Sequence, residues 1–255
     1  MSDQVTYERV GAAAVLTIDR PERRNAVDGP TAELLNDGFR RFEADDEARA
    51  LVLTGAGGVA FCAGADLKAI ETFAPRLDLE DGPMGFTRVT PSKPTIAAIE
   101  GWCLAGGLEL ALWCDLRIAS EGSTLGFPER RWGVPLIDGG TQRLPRIVGL
   151  GRALDLILTG RMVPVDEAHA MGLVNEVVAP GAARDRALQI AEALASFPQE
   201  TMLADRRAAI EGIGMPFGDG LKLEARAGRE VFEVAQRGAA RFAGGEGRGG
   251  AGAGA

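Results

Sequence analysis

The sequence predicts an α/β protein whose first part mixes strands with helices and whose last part is helical. Before about Gly140, short apolar or alternating runs are interspersed with helical patterns, whereas after it one helical pattern follows another. Of the 255 residues, 46% are hydrophobic and 25% are charged, as in a globular protein with a sizeable core. We expect a core domain over residues 1–195, a helical region over 196–243 and a Gly/Ala-rich tail over 244–255.

The elements of the first part are predicted from periodicity. Apolar runs or alternation indicate strands, and apolar residues that recur on one side of a helical pattern indicate helices. The strands are expected at residues 5–10, 13–18, 50–53, 95–99 and 116–119. The helices are expected at 31–48, 65–73 and 106–114. Residues 21–30 are expected to form a polar loop, and 77–91, rich in Asp, Gly and Pro, a mobile one.

The second part contains helical patterns alone. They occur at residues 151–158, 166–171, 183–196, 200–213 and 221–236. No linker separates them from the first part, which indicates one core domain with a helical appendage.

Charge and composition exclude several classes of function. The net charge of −8 disfavours broad nucleic-acid binding, which needs a basic face. No apolar run approaches the roughly 20 residues that a bilayer requires, and the N-terminus has no secretory pattern. Three cysteines without a CxxC pair, and a single histidine, predict no metal site and a reducing cytoplasm. Abundant arginine, alanine and glycine beside only three lysines suggest a GC-rich bacterial source.

The most informative stretch is GWCLAGGLELALWCD at residues 101–115. Between Trp102 and Cys114 its only charged residue is Glu109, and burial should raise the pKa of that carboxyl toward neutrality, as proton transfer requires. Ala105 and Gly106 open a helix, where unpaired N–H groups lie at the positive end of the dipole. Alternatively, Glu109 is a first-turn acid that stabilises the helix and the glycines form a tight turn.

A second small-residue turn follows the strand at residues 50–53, in the run AFCAGADLK at 60–68. A backbone N–H from this turn could face the first one and complete an oxyanion hole. Residues 55–60, GAGGVA, also satisfy the GxGxxA dinucleotide pattern. Because FCAG intervenes before the helical pattern begins, a nicotinamide enzyme is the weaker interpretation.

Four motifs in register resemble the enoyl-CoA hydratase/isomerase (crotonase) family. The resemblance covers residues 20–178 and rests on FCAGADL at 61–67, AGGLE at 105–109, FPE at 127–129 and GGTQRL at 139–144, followed by GR at 160–161 and AHAMGLV at 168–174. It implies a crotonase-like spiral of strand–strand–helix units with a C-terminal helical oligomerisation region. It also implies homotrimers or dimers of trimers.

The resemblance implies a role for each matching residue. The N–H groups of Ala65 and Gly106 would form the oxyanion hole, and Glu109 and Glu129 would match the two acids of the hydratases. One acid would activate water for attack at Cβ and the other would protonate Cα. Taken without the resemblance, Glu129 is a surface acid.

Coenzyme A is expected as part of the substrate, with no cofactor bound permanently. The resemblance places its contacts at the residues Arg23, Arg24, Ala26, Ala63, Asp66 and Lys68. Arginine suits phosphates because its donors are forked, although exposed arginine pairs are commonly just solvated.

The run RRWGVPLID at residues 130–138 departs from the family pattern. Its Asp138 introduces a third carboxylate, which either faces the acyl pocket or caps the helix that begins near Gly140. Trp132 is a candidate for lining the acyl pocket. The reaction favoured is reversible syn addition of water to a 2-enoyl-CoA. The alternatives are an enoyl- or dienoyl-CoA isomerase, another enolate-forming enzyme, or a non-catalytic acyl-CoA-binding protein.

Overall fold

The structure, a computed structural model, describes residues 4–246. Its strands are β1 (Val5–Val10), β2 (Ala13–Ile18), β3 (Ala50–Gly55), β4 (Ala60–Cys62), β5 (Thr95–Ile99), β6 (Trp102–Leu104), β7 (Leu116–Ser120), β8 (Thr124–Gly126), β9 (Met162–Pro164) and β10 (Glu176–Val178). Its α-helices are α1 (Gly29–Ala44), α2 (Gly106–Trp113), α3 (Gly140–Val148), α4 (Leu150–Thr159), α5 (Val165–Ala170), α6 (Ala183–Ser196), α7 (Gln199–Glu211), α8 (Phe217–Glu230) and α9 (Phe232–Ala243). Short 3₁₀ helices cover Pro21–Arg23, Leu67–Arg76 and Pro128–Trp132.

The strands form two sheets that the chain visits in alternation. The first has the order β1-β2-β3-β5-β7-β10 and is parallel except for the β1–β2 hairpin, and the second has the order β4-β6-β8-β9. Each pair β3–β4, β5–β6 and β7–β8 is followed by a helix, so the chain winds as strand–strand–helix units. This confirms the predicted spiral α/β architecture.

The contacts of the described residues define two compact units, one ending at Ala191 and the other beginning at Glu192. The first unit contains both sheets, and its core is built from large side chains such as Leu16, Phe42, Leu51 and Phe61, which are fully buried. The second unit contains α7, α8 and α9. Of the tail expected at 244–255, residues 247–255 lie outside the described residues. No helix between residues 4 and 246 is long and apolar enough to cross a membrane.

Several predicted elements differ from those observed. Helix α1 begins two residues early because Asp28 Oδ1 caps it by accepting from the Thr31 N–H at 2.9 Å. The helix expected at 65–73 is a 3₁₀ helix with Pro75 inside it, which removes a backbone donor. Strands β4, β6, β8, β9 and β10 have three residues each, too short for periodicity to reveal. The helix expected at 221–236 is divided into α8 and α9 by Val231.

The loop predicted at 77–91 is confirmed, but its centre is packed into the protein and is not the exposed segment that was expected to be mobile. Met84, Phe86 and Thr87 are buried there, and the Phe86 ring packs on Trp113 with 4.5 Å between centroids. The Asp, Gly and Pro residues that suggested mobility form tight turns around an apolar anchor. This segment therefore becomes part of the wall of the site.

Candidate active site

A cavity of about 500 Å³ in the first unit brings together the main predicted site residues. Glu109, Glu129 and Asp138 line it, together with Ala65 and Gly106. These residues come from distant segments that the alternation between the two sheets gathers at one place. The remaining wall consists mainly of small or apolar residues, among them Leu67, Ile70, Phe73, Ala74, Leu77, Val134, Leu136 and Ile137.

The two turns predicted to form an oxyanion hole touch each other. A Cβ added at Gly64 would lie 2.7 Å from the Ala105 Cβ and 3.0 Å from the Gly106 N. Gly64 also has a φ of 95°, and Ala105 has a φ of 53°, values that let both turns close sharply before the segments that follow. A side chain at Gly64 would therefore push the turns apart.

The local hydrogen bonds leave two amides available. Val27 and Ala65 form an isolated parallel β-bridge, in which the Val27 N–H donates to Gly64 O at 2.9 Å and the Asp66 N–H donates to Val27 O at 2.7 Å. The Ala65 N–H lies between these two bonds and points away from Val27. Gly106 is the first residue of α2, where N–H groups have no intrahelical acceptor. Within residues 4–246, no group accepts from either N–H. Both can donate to an oxygen in the cavity.

Glu109 is held by two backbone amides from the turn that precedes α3. Its Oε1 accepts from the Gly140 N–H at 2.7 Å and from the Asp138 N–H at 2.9 Å, and the residue is 2% exposed. Burial, and then the neighbouring Asp138 charge, raise the pKa of Glu109 to about 8 although the two amides oppose this. The alternative in which Glu109 serves only its own helix is wrong, because its carboxylate binds another helix terminus.

Glu129 lies in the 3₁₀ helix Pro128–Trp132 and is 6% exposed, so the interpretation as a surface acid is wrong. Neither of its carboxyl oxygens has a hydrogen-bond partner among the described residues. Burial raises the pKa of Glu129 to about 7. A buried carboxyl without partners is unfavourable for folding, and such groups are characteristic of functional sites.

Asp138 does not cap α3. The N-cap residue is Gly139, with a φ of 102° and no side-chain hydrogen bond. The Asp138 Oδ1 instead accepts from the Met84 N–H at 3.0 Å and from the Thr87 hydroxyl. The capping interpretation is therefore wrong, since the turn is made by a left-handed glycine and the carboxylate is directed to another segment.

Of the residues expected at coenzyme A, Ala63 alone is among the cavity-lining residues of the described chain. Ala63 lines the cavity, and its N–H donates to Arg24 O at 3.1 Å, which attaches the loop at residues 23–26 to the cavity wall. The side chains of Arg23, Arg24 and Lys68 are exposed, whereas Ala26 is buried. The Asp66 carboxylate is already engaged, since it pairs with Arg20 at 3.3 Å and caps the Lys68 N–H.

Trp132 lines the cavity at its mouth and is 75% exposed. Arg20, Met84 and Thr87 were not identified from the sequence, although each supports the site. Arg20 lies buried between Asp28 and Asp66 and donates to Ala26 O in the loop at residues 23–26, and a charged residue next to a proline gave no signal of this. Within the described chain no group of three His, Cys, Asp or Glu residues could hold a metal ion.

Comparisons with known proteins show which family this chain resembles over most of its length. A family model described as Enoyl-CoA hydratase/isomerase matches residues 8–244. A probable enoyl-CoA hydratase of Rhizobium meliloti is 39% identical, covering 90% of this chain and 90% of the relative. A short-chain-enoyl-CoA hydratase of Clostridium acetobutylicum is 36% identical over 91% and 90%. The crystal structure of an enoyl-CoA hydratase from Mycobacterium marinum superposes with a TM-score of 0.88 at 37% identity, covering 94% and 95%.

Proposed function

Because the chain belongs to the enoyl-CoA hydratase/isomerase family, we propose that it is an enoyl-CoA hydratase that adds water reversibly to 2-enoyl-CoA thioesters. One observation carries this proposal. Two buried carboxyls with raised pKa, Glu109 and Glu129, line the same cavity as two backbone amides that have no acceptor among the described residues. Hydration of a conjugated thioester uses an anion-binding site for the enolate, one group that accepts a proton from water and another that donates a proton to Cα.

The thioester carbonyl oxygen accepts hydrogen bonds from the N–H groups of Ala65 and Gly106. When the water oxygen bonds to Cβ, the electrons of the carbon–carbon double bond move toward the thioester carbonyl oxygen. The two amides stabilise the enolate that develops there. One glutamate accepts the proton that the water loses, and the other donates a proton to Cα. The pair therefore works with one proton between its members, which a pKa of about 8 for Glu109 and about 7 for Glu129 allows near neutral pH.

Coenzyme A enters as part of the substrate, and no permanently bound cofactor is required. Arg23, Arg24 and Lys68 are exposed, and Arg24 O accepts from the N–H of Ala63 in the cavity wall, so the phosphates can meet these charges outside the cavity. Ala26 and Asp66 contribute to the coenzyme A site through backbone groups or packing, because the Asp66 carboxylate is paired with Arg20. Among the described residues no lysine or arginine lines the cavity, which suits an uncharged hydrocarbon acyl group and a place in fatty acid metabolism.

We also propose a cytoplasmic homotrimer or dimer of trimers. Phe217 on α8 and Phe242 on α9 are 83% and 64% exposed, and such large apolar side chains favour association between copies of a chain. All three cysteines are free and buried, which suits a reducing compartment. Light scattering coupled to gel filtration tests the assembly, and a monomeric mass would contradict it.

The test of the reaction is a panel of 2-enoyl-CoA thioesters of increasing chain length, incubated in ¹⁸O-labelled water. Mass detection should show a 3-hydroxyacyl-CoA that carries the label. Conversion of a 3-enoyl-CoA without label would favour an isomerase instead. Binding of the thioesters without any turnover would favour a non-catalytic acyl-CoA-binding protein.

A further inference from the structure

Asp138 occupies a buried position where three parts of the active site meet. The residue is 3% exposed and lies in the turn between the apolar run at 134–137 and α3. Its carboxylate belongs to none of the steps of hydration proposed above. Nothing about burying a third acid beside two others is favourable by itself, because like charges and desolvation both oppose ionisation.

The carboxylate and the backbone of Asp138 point to different partners. The Oδ1 accepts from the Met84 N–H at 3.0 Å and from the Thr87 hydroxyl, while the Asp138 N–H donates to Glu109 Oε1 at 2.9 Å. One residue therefore connects the segment at 84–87 to the proposed catalytic acid. The carboxylate fixes one side of this connection and the peptide fixes the other.

Arg143 closes this connection into a ring. Its Nη1 donates to Asp138 O at 2.8 Å, and its Nη2 donates to Thr87 O. Thr87, Asp138 and Arg143 are thus each bonded to the other two. Such a closed network restricts the turn before α3 more than any of its bonds alone.

The segment bound by the Asp138 carboxylate reaches the proposed oxyanion hole. The Met84 Cε and Sδ lie 3.1 and 3.3 Å from the position that a Cβ on Gly106 would take. The Met84 side chain therefore packs directly against the residue whose N–H binds the thioester oxygen. A shift of Met84 would change the space beside that amide.

We propose that Asp138 is a positioning residue: its carboxylate holds Met84 against Gly106, and its backbone N–H aligns Glu109. This inference rests on the proposed hydratase function, which assigns Glu109 and Gly106 their roles. The charge of Asp138 acts in addition to its geometry. Asp138 and Glu129 face Glu109 as like charges, and Arg143 opposes them, while Arg88 and Arg143 compensate Asp138 itself.

The decisive variant is Asp138→Asn, which keeps an acceptor oxygen for Met84 and Thr87 but removes the negative charge. The limb of the pH–rate profile that belongs to Glu109 should move to lower pH by roughly one unit, because a like charge no longer raises its pKa. The kcat should fall roughly tenfold with KM little changed, because a neutral amide oxygen binds the Met84 N–H and the Thr87 hydroxyl more weakly than a carboxylate does, which loosens the alignment of the reacting groups and leaves coenzyme A unaffected.

Asp115→Asn is the matched control. Its carboxylate also accepts from a backbone N–H and a threonine hydroxyl, both of Thr95 at 2.8 and 3.2 Å, but Asp115 does not line the cavity. This variant should leave the pH profile unchanged. An unchanged profile and kcat in Asp138→Asn, or an equal shift in Asp115→Asn, overturns the proposal.

A second pair of variants covers the case in which Asp138→Asn does not fold. Thr87→Val removes the hydroxyl donor and should lower kcat several-fold at unchanged KM, whereas Thr87→Ser should restore it. Equal kcat in both overturns the proposal. A third readout is independent of turnover: the carboxyl ¹³C signal of Glu109, identified by its loss in Glu109→Gln, should titrate at lower pH in Asp138→Asn. If the unmodified protein hydrates no thioester, the proposed function fails, while this titration still decides whether Asp138 acts on Glu109.

Discussion

The two carboxyls of the cavity reach raised pKa values in opposite surroundings. Glu109 stands on α2 and receives two backbone hydrogen bonds at 2.7 and 2.9 Å from the turn before α3. Glu129 stands on a short 3₁₀ helix, and neither of its oxygens has a partner among the described residues. Burial is nevertheless the leading cause of the raised pKa in both.

This difference separates a group that the protein orients from one that its substrate must orient. The amides fix the direction of Glu109 before any ligand arrives, which lowers the entropic cost of reaching the reactive geometry. The unpaired oxygens of Glu129 are satisfied only when water or the acyl group enters the cavity. Substitution of either acid should therefore lower turnover, whereas the two substitutions should change the stability of the fold differently.

The largest expected effect is the loss of turnover in Glu109→Gln and Glu129→Gln. Each removes a group that transfers a proton, so kcat should fall by roughly a hundredfold to ten-thousandfold. The fold should be retained, because in Glu109→Gln the side-chain amide oxygen can still accept from the N–H groups of Asp138 and Gly140. Steady-state hydration of the best enoyl-CoA measures this, with circular dichroism as the control. Near-native turnover in either variant would refute the mechanism with two glutamates.

A smaller loss is expected from Gly106→Pro, which removes one oxyanion donor and leaves both acids in place. The loss of one such donor costs about 3 kcal/mol in other enzymes, or roughly a hundredfold in kcat. Proline is tolerated in the first turn of a helix, so α2 should persist. The comparison requires unchanged circular dichroism. Native activity in a folded Gly106→Pro protein would remove this amide from the site.

The two acids also differ in how well the sequence alone predicts them. Glu109 was identifiable because it is the only charged residue in an apolar run, a local signal of burial. Glu129 gave no such signal and was found only through the resemblance to a family. Its burial arises from packing between segments distant in the chain, which no local pattern records.

The elements of the fold likewise divide into those that a local pattern predicts and those that depend on distant contacts. The long strands β1, β2, β3 and β5 follow from apolar runs, and α6 was predicted with its observed bounds. The short strands of the second sheet are stabilised by their neighbours and not by their own pattern, so they were missed. The Asp138 interactions depend on Met84 and Thr87, about fifty positions earlier in the chain, and could not be foreseen.

Leucine substitutions should separate the two acids by stability. Glu109→Leu leaves the buried N–H groups of Asp138 and Gly140 without their acceptor, which should lower the free energy of unfolding by about 1–3 kcal/mol for each. Glu129→Leu removes a carboxyl that has no partner among the described residues, so stability should be unchanged or rise by about 1 kcal/mol. Urea unfolding near neutral pH measures both. Equal destabilisation by the two substitutions would contradict the difference in hydrogen bonding.

The smallest effect concerns the pH dependence of stability. Burial raises the pKa of Glu109 to about 8 and that of Glu129 to about 7, from an ordinary 4.5. The folded protein therefore keeps these protons after the unfolded chain has released them. As a result, the free energy of unfolding falls as the pH rises from about 4.5 toward each folded pKa and then levels off.

Between pH 7 and pH 8 Glu109 contributes most of this fall, because Glu129 has already released about half of its proton at pH 7. Glu129→Gln should thus continue to lose stability across that interval, by about 1 kcal/mol, while Glu109→Gln should lose only about a third as much. Other titrating groups are common to both variants and cancel in the difference. Urea unfolding of the two proteins in parallel at a series of pH values measures it. If Glu129→Gln levels off at the lower pH and Glu109→Gln at the higher, the order of the two pKa values is reversed. The hydrogen-bonded acid would then be the one that ionises first, as expected if its two amides outweigh the charge of Asp138.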